Sequence, residues 1–162
     1  MVYSSKKKND VVDLLGSGAV EALRLAIPLA KSIPLLGSTV EGSLEIVLFI
    51  IEAKDDVKMK KEQCQLLADR VVAITAAITT ELMKSDHATL ARRENSVAAL
   101  RGTLREIKTL LQELSSASLI RRILKRGEVG DKLLLFRQRL DTAIDTFHVC
   151  PKLYVLFHAH FF

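Results

Sequence analysis

The sequence predicts an all-α protein: an up-and-down four-helix bundle with a very long second helix and a short basic brace helix before helix four. Prolines stand only at positions 28, 34 and 151, so the stretch from Leu35 to Cys150 lacks the residue that ends helices most sharply. Across that stretch apolar residues return every three or four positions, the period of one helix face. The 49% apolar share comes mostly from Leu, Ile, Val and Ala, with 5% aromatics and no Trp, a supply suited to helix packing. No Asn-Gly or Asp-Gly pair separates alternating runs, so hairpins are not indicated. With 162 residues and 27% charge the chain reads as one folded domain over 10–149, flanked by a basic N-terminal tail (1–9) and an atypical apolar tail (150–162).

The first helix is expected from near Asp10 to about Lys31, with Leu14, Leu15, Ala19, Leu23, Ile27 and Ala30 sharing a face. Gly16, Gly18 and Pro28 weaken it, because glycine raises the entropy cost of helix formation and proline removes a hydrogen bond. In KSIPLLGSTVEG, Lys31 to Gly42, Pro34 stops this helix and Gly37 supplies a permissive turn. Ser38-x-x-Glu41 then reads as a capping box that opens the next helix, which makes Pro34, Gly37 and Ser38 a candidate hinge. A phosphate-cradling loop would need a preceding strand and Gly-Lys-Ser/Thr, and the stretch has neither.

The second helix carries Ile46, Ile50, Ala53, Val57, Cys64, Leu67, Val71, Ile74, Ile78 and Leu82 at helical spacing. Such a span of about 45 residues would be roughly 65 Å long. Its middle, EAKDDVKMKKEQ, is densely charged and is expected to be solvated or to protrude. After a tight loop at KSDHAT, the third helix places Val97, Leu100, Leu104, Ile107, Leu111 and Leu114 on one stripe, and Arg92, Arg93, Arg101, Arg105 and Lys108 on its polar face. SSAS ends it. The basic brace SLIRRILKRG follows, with Gly127 as its C-terminal cap and Lys125 and Arg126 in its last turn, where cations are favoured. The fourth helix presents Leu133, Phe136, Leu140, Ile144 and Phe147 before Pro151 breaks it.

No catalytic constellation is visible. Asp55 and Asp56 are adjacent and diverge on a helix, and no serine has a histidine and an acid in motif context. Cys64 lies on the apolar stripe and reads as a buried hydrophobe, and Cys64 and Cys150 are too few and too far apart for a disulfide framework or a zinc site. His158-x-His160 lacks the carboxylates that would define a metal geometry, so neither metal nor cofactor is expected. No clean signal peptide and no apolar run of membrane-spanning length stand in the sequence.

Net charge is +5, and its distribution says more than its total. Lys84 to Arg126 holds 10 basic and 4 acidic residues, a surplus of +6, while the remainder sums to −1. Within that segment Arg121, Arg122, Lys125 and Arg126 alternate with Leu119, Ile120, Ile123 and Leu124. A helix of this kind lays apolar side chains on a bundle or bilayer while its cations meet phosphate headgroups. Arg92, Arg93, Arg121, Arg122, Lys125 and Arg126, assisted by Lys6, Lys7 and Lys8, are therefore the candidate lipid-binding residues, with a merely solvated face as the alternative. Nucleic acid is not expected, because base-stacking aromatics and any DNA-reading motif are missing from the segment.

The run IVLFIIEAKDDVKMKKEQCQLLADRVVAI resembles the N-terminal bundle of mixed-lineage kinase domain-like proteins and similar domains of fungal signalling proteins. The resemblance rests on Val57, Lys60, Lys61, Cys64, Leu67, Ala68, Arg70 and Val71, and extends over about Asp10 to Val149 through the hinge, the brace and the closing segment from Ile144 to Phe147. It implies a non-enzymatic cell-death and signalling adaptor, HeLo-like in style, that forms homo-oligomers and engages anionic membrane lipid. Its expected place is the cytoplasm, with recruitment to the inner face of the plasma membrane. The other reading is a protein interaction module that meets a helical partner through the exposed stretch of helix two.

Overall fold

The computed structural model describes residues 20–116, 118, 121 and 125–147. All regular structure among them is helical: α1 at 20–30, α2 at Gly37–Ala53, one 3-10 turn at Lys54–Asp56, α3 at Lys61–Lys84, α4 at His87–Ser116 and α5 at Arg126–Thr146. The expected start of the first helix, Lys6 to Lys8, most of the brace and the 150–162 tail lie outside the described residues.

The expected stripes form the core. Val97, Leu100, Leu104, Ile107, Leu111 and Leu114 of α4 are buried, as are Leu133, Phe136 and Leu140 of α5 and the following Phe147. Side-chain ties fix how the helices run. Lys108 of α4 sits 4.5 Å from the Phe49 ring of α2, and Arg101 lies across Gly42, so α2 and α4 run in the same direction. Arg139 of α5 meets Glu106 of α4 at 2.8 Å, and Arg93 donates to the Thr146 carbonyl, so α4 and α5 are antiparallel. α2 packs chiefly on α4 and then on α3, and α5 packs on α3 and α4. α3 and α4 touch little although only Ser85 and Asp86 join them. From Val71 to Thr75 α3 is buried on every side, because α2 covers one flank and α5 another.

The very long second helix is not there. The chain leaves α2 through the 3-10 turn, Val57 adopts an extended conformation with its side chain fully buried, and Lys60 turns the backbone left-handed at φ 53° before α3 begins. Val57 and Cys64 are two helical turns apart in sequence, so the apolar period passes through the joint as if a helix continued. Asp55, Asp56 and Lys58 stay exposed while Val57 turns inward.

The turn between α1 and α2 also differs from expectation. α2 begins at Gly37 with Leu36 as N-cap and no side-chain cap hydrogen bond, so Ser38 forms no capping box and stands exposed inside the helix. The left-handed residue is Leu35, at φ 63°, and no described glycine has positive φ. Gly37 is needed for space: a Cβ there would stand 2.3 Å from the Lys31 carbonyl oxygen. Its N–H donates to the Ile33 carbonyl at 2.9 Å, and the Ser32 hydroxyl donates to the Leu29 carbonyl at 2.6 Å, closing the end of α1.

Candidate functional site

The candidate basic residues are not on one face. Arg92 and Arg93 stand in the second turn of α4, whereas Arg121, Lys125 and Arg126 follow its far end. From Arg93 to Ser116 the helix rises roughly 35 Å, so the two groups occupy opposite ends of the molecule. Arg122 lies outside the described residues.

The two groups also differ in how they are held. Arg93 is half-buried, donating to the Thr146 carbonyl with its guanidinium 5.7 Å from the Phe147 ring centroid, which makes it a tie between α4 and α5. Arg92 donates to Thr89 Oγ1 at 3.2 Å. At the other end Arg121, Lys125 and Arg126 are all exposed, and among the described residues none forms an ion pair. The Arg121 N–H faces Ser118 Oγ at 3.4 Å, and its carbonyl accepts the Lys125 N–H at 3.1 Å. Lys125 is the N-cap of α5 and Arg126 its first residue, so these cations stand at the start of a helix. Gly127 belongs to the first turn of α5 and caps nothing. Cations are disfavoured at a helix N-terminus. Glu128 offsets part of that charge, with Lys132 at 3.1 Å and then Lys125 holding its carboxyl below the usual range.

The fold adds a second basic segment to this end. Lys60 Nζ lies 4.0 Å from the Cβ position of Gly130, one turn into α5. The joint between α2 and α3, with Lys58, Lys60 and Lys61, thus meets the start of α5, with Lys125 and Arg126. The KMKK run was visible in the sequence, but nothing in its spacing said which distant segment it would join.

Apart from Lys60, which is half-buried, and Lys61, which is exposed, the residues that carried the resemblance hold helices together. Val57, Cys64, Leu67, Ala68 and Val71 are all buried, and Arg70 pairs with Asp141 of α5. Cys64 is unexposed and its thiol is pushed up from the ordinary 9.0 to about 11 by burial, which removes it as a nucleophile. Among the described residues no three His, Cys, Asp or Glu side chains group as metal ligands, and no helix is long and apolar enough to cross a membrane.

A family model, the mixed lineage kinase domain-like N-terminal domain, matches residues 40–151. The chain belongs to that family. The match begins in the first turn of α2 and takes in α3, α4 and α5, leaving α1 and its turn before it. The mixed lineage kinase domain-like N-terminal domain is a family of helical, non-catalytic domains. No curated protein and no solved structure matches the chain.

Proposed function

We propose that this domain is a non-enzymatic adaptor that binds anionic membrane lipid end-on and self-associates there. The observation that carries the reading is the placement of Lys60 against Gly130, which gathers Lys58, Lys60 and Lys61 with Lys125 and Arg126 at one end of the bundle. Arg121 adds a further exposed cation, and Arg122 and Lys6 to Lys8 extend the same chemistry in the sequence. Each cation near an anionic leaflet contributes about 1 kcal/mol, so four or more suffice to hold a domain of this size at the surface. Arg92 and Arg93, at the opposite end, do not contribute in this reading. The location that follows is the cytoplasmic face of the plasma membrane, where anionic lipid is concentrated.

α1 supplies an apolar element for the same surface. Leu23 and Ala30 face the core, while Leu25 and Leu29 are 63% and 60% exposed. Below α1 a cavity of about 190 Å³, lined by Ala22, Leu23, Ala26, Val72 and Ala76, leaves it loosely seated. In this reading α1 swings about Leu35 and Gly37 to insert; a disulfide tying α1 to α3 that left vesicle leakage unchanged would remove this step.

Flotation with vesicles tests the membrane reading. Binding to phosphatidylserine or phosphoinositide vesicles but not to neutral phosphatidylcholine is expected, with light scattering showing oligomers on the membrane. Equal partitioning into both vesicle types would leave the other reading, a module that pairs with a helical protein.

A further inference from the structure

Three helices meet around one cavity. Leu23 of α1, Leu44 of α2, and Val72 and Met83 of α3 enclose the space of about 190 Å³ beneath α1. Leu29 and Met83 both line it and both stand largely exposed, so the cavity reaches solvent between two flexible side chains.

Two threonines of α3 set this place apart. A threonine inside a helix can satisfy its hydroxyl on the carbonyl one turn back, and Thr80, Thr103, Thr109, Thr142 and Thr146 all do so. Thr75 and Thr79, at 2% and 6% exposure, do not. Thr75 Oγ1 is fully buried without a partner, and Thr79, one turn further on, lines the cavity with its hydroxyl unbonded among the described residues. A buried hydroxyl left without a hydrogen bond costs folding free energy, and a ligand that bonds it recovers that cost. Water suits the cavity poorly. An ordered water needs roughly two to four polar partners, whereas the lining side chains offer only Thr79 and Thr80, and Thr80 already donates to the Ala76 carbonyl.

Size and chemistry then define the occupant. An apolar cavity of about 150 Å³ takes a benzene ring, so this one takes a ring with one small substituent. The Met83 thioether, soft and adaptable, favours contact with an aromatic edge.

We propose that the cavity beneath α1 binds a small amphipathic molecule, one aromatic ring carrying a single hydrogen-bonding group, with the ring against Leu44, Val72 and Met83 and the polar group on Thr79 Oγ1. Such an occupant bridges α1 to α3 and stabilises the seated α1 by mass action. The site is independent of membrane binding, since it uses none of the cations at the Lys60 end.

Titration of the full chain with 4-methylphenol, followed by amide and methyl NMR shifts, tests the site, with toluene as the probe that lacks the hydroxyl. Saturable shifts are expected in 22–29, in 72–83 and at Leu44, and hydrogen exchange in 20–30 should slow at least twofold at saturation. Thr79→Val keeps the shape and removes the hydroxyl, and should weaken 4-methylphenol about fivefold while toluene binds as well or better. Ala76→Leu fills the cavity and should abolish binding of both probes while circular dichroism shows the helices intact. Shifts that do not saturate or that centre on other segments, or an equal effect of Thr79→Val on the two probes, would overturn the site. Should Ala76→Leu unfold the protein, the two-probe comparison in Thr79→Val decides alone.

Discussion

Arg70 on α3 donates to the carboxylate of Asp141 on α5, an ion pair that closes 71 positions of sequence. Arg70 retains 28% and Asp141 50% of its side-chain exposure, so solvent screens the pair in part. The expected coupling energy from a double-mutant cycle with Arg70→Met and Asp141→Asn is about 0.5–1 kcal/mol, shrinking in high salt. Urea unfolding measures it, and a coupling indistinguishable from zero would mean that the pair is incidental to α3–α5 packing.

Gly37→Ala should be costly out of proportion to its size. The new methyl would meet a backbone oxygen of Lys31, which cannot rotate away as a side chain does. A loss of roughly 2–3 kcal/mol is expected. Hydrogen exchange should show it first in 20–30, since α1 depends on this turn. Ser38→Ala, in contrast, should change stability little, because Ser38 caps nothing.

Lys60→Gly should separate stability from binding. Its backbone sits at φ 53°, where a side chain is strained, so glycine there is expected to stabilise the fold by about 1 kcal/mol. The same change removes the ammonium group beside Gly130 and should weaken partitioning to anionic vesicles. Thermal unfolding and flotation on one preparation read both effects, and a change of equal sign in the two would argue against the assigned role of the lysine.

The two ends of the bundle should respond differently to charge removal. Lys125→Gln with Arg126→Gln deletes about 2 kcal/mol of attraction to an anionic leaflet, about a thirtyfold loss in partitioning at low salt. The start of α5 should become no less stable, because two cations leave a helix N-terminus. Arg92→Gln should leave vesicle binding within twofold of the parent.

Cys64 gives the protein an alkaline limit. The unfolded thiol ionises around 9.0 whereas the folded one holds its proton to about 11, so over this window the unfolded state binds fewer protons and stability falls as pH rises. Denaturant midpoints measured from pH 8 to 10.5 should decline, and Cys64→Ala should flatten the decline. At pH 8, maleimide should label Cys64 only after unfolding.

How much was legible in the sequence depends on the element. The α4 stripe from Val97 to Leu114 and the α5 stripe from Leu133 to Phe147 could be read directly, because each follows one helix without interruption. The break at Val57–Lys60 could not, since its two-turn spacing to Cys64 imitates a continuing helix. Nor could Gly37 be understood from its turn alone, where the need is room beside Lys31 and not an unusual φ.

Composition and period, which are local along the chain, determined that this protein is helical, which side chains face inward, and that one segment holds the surplus of positive charge. Only tertiary structure decided where that charge goes. Helix direction and packing left Arg92 and Arg93 at one end of α4, roughly 35 Å from Ser116 at the other, and brought Lys60 beside Gly130 near the start of α5. Electrostatics act through space, so a basic site is made by which helix ends meet, and no run of residues read in order contains that information.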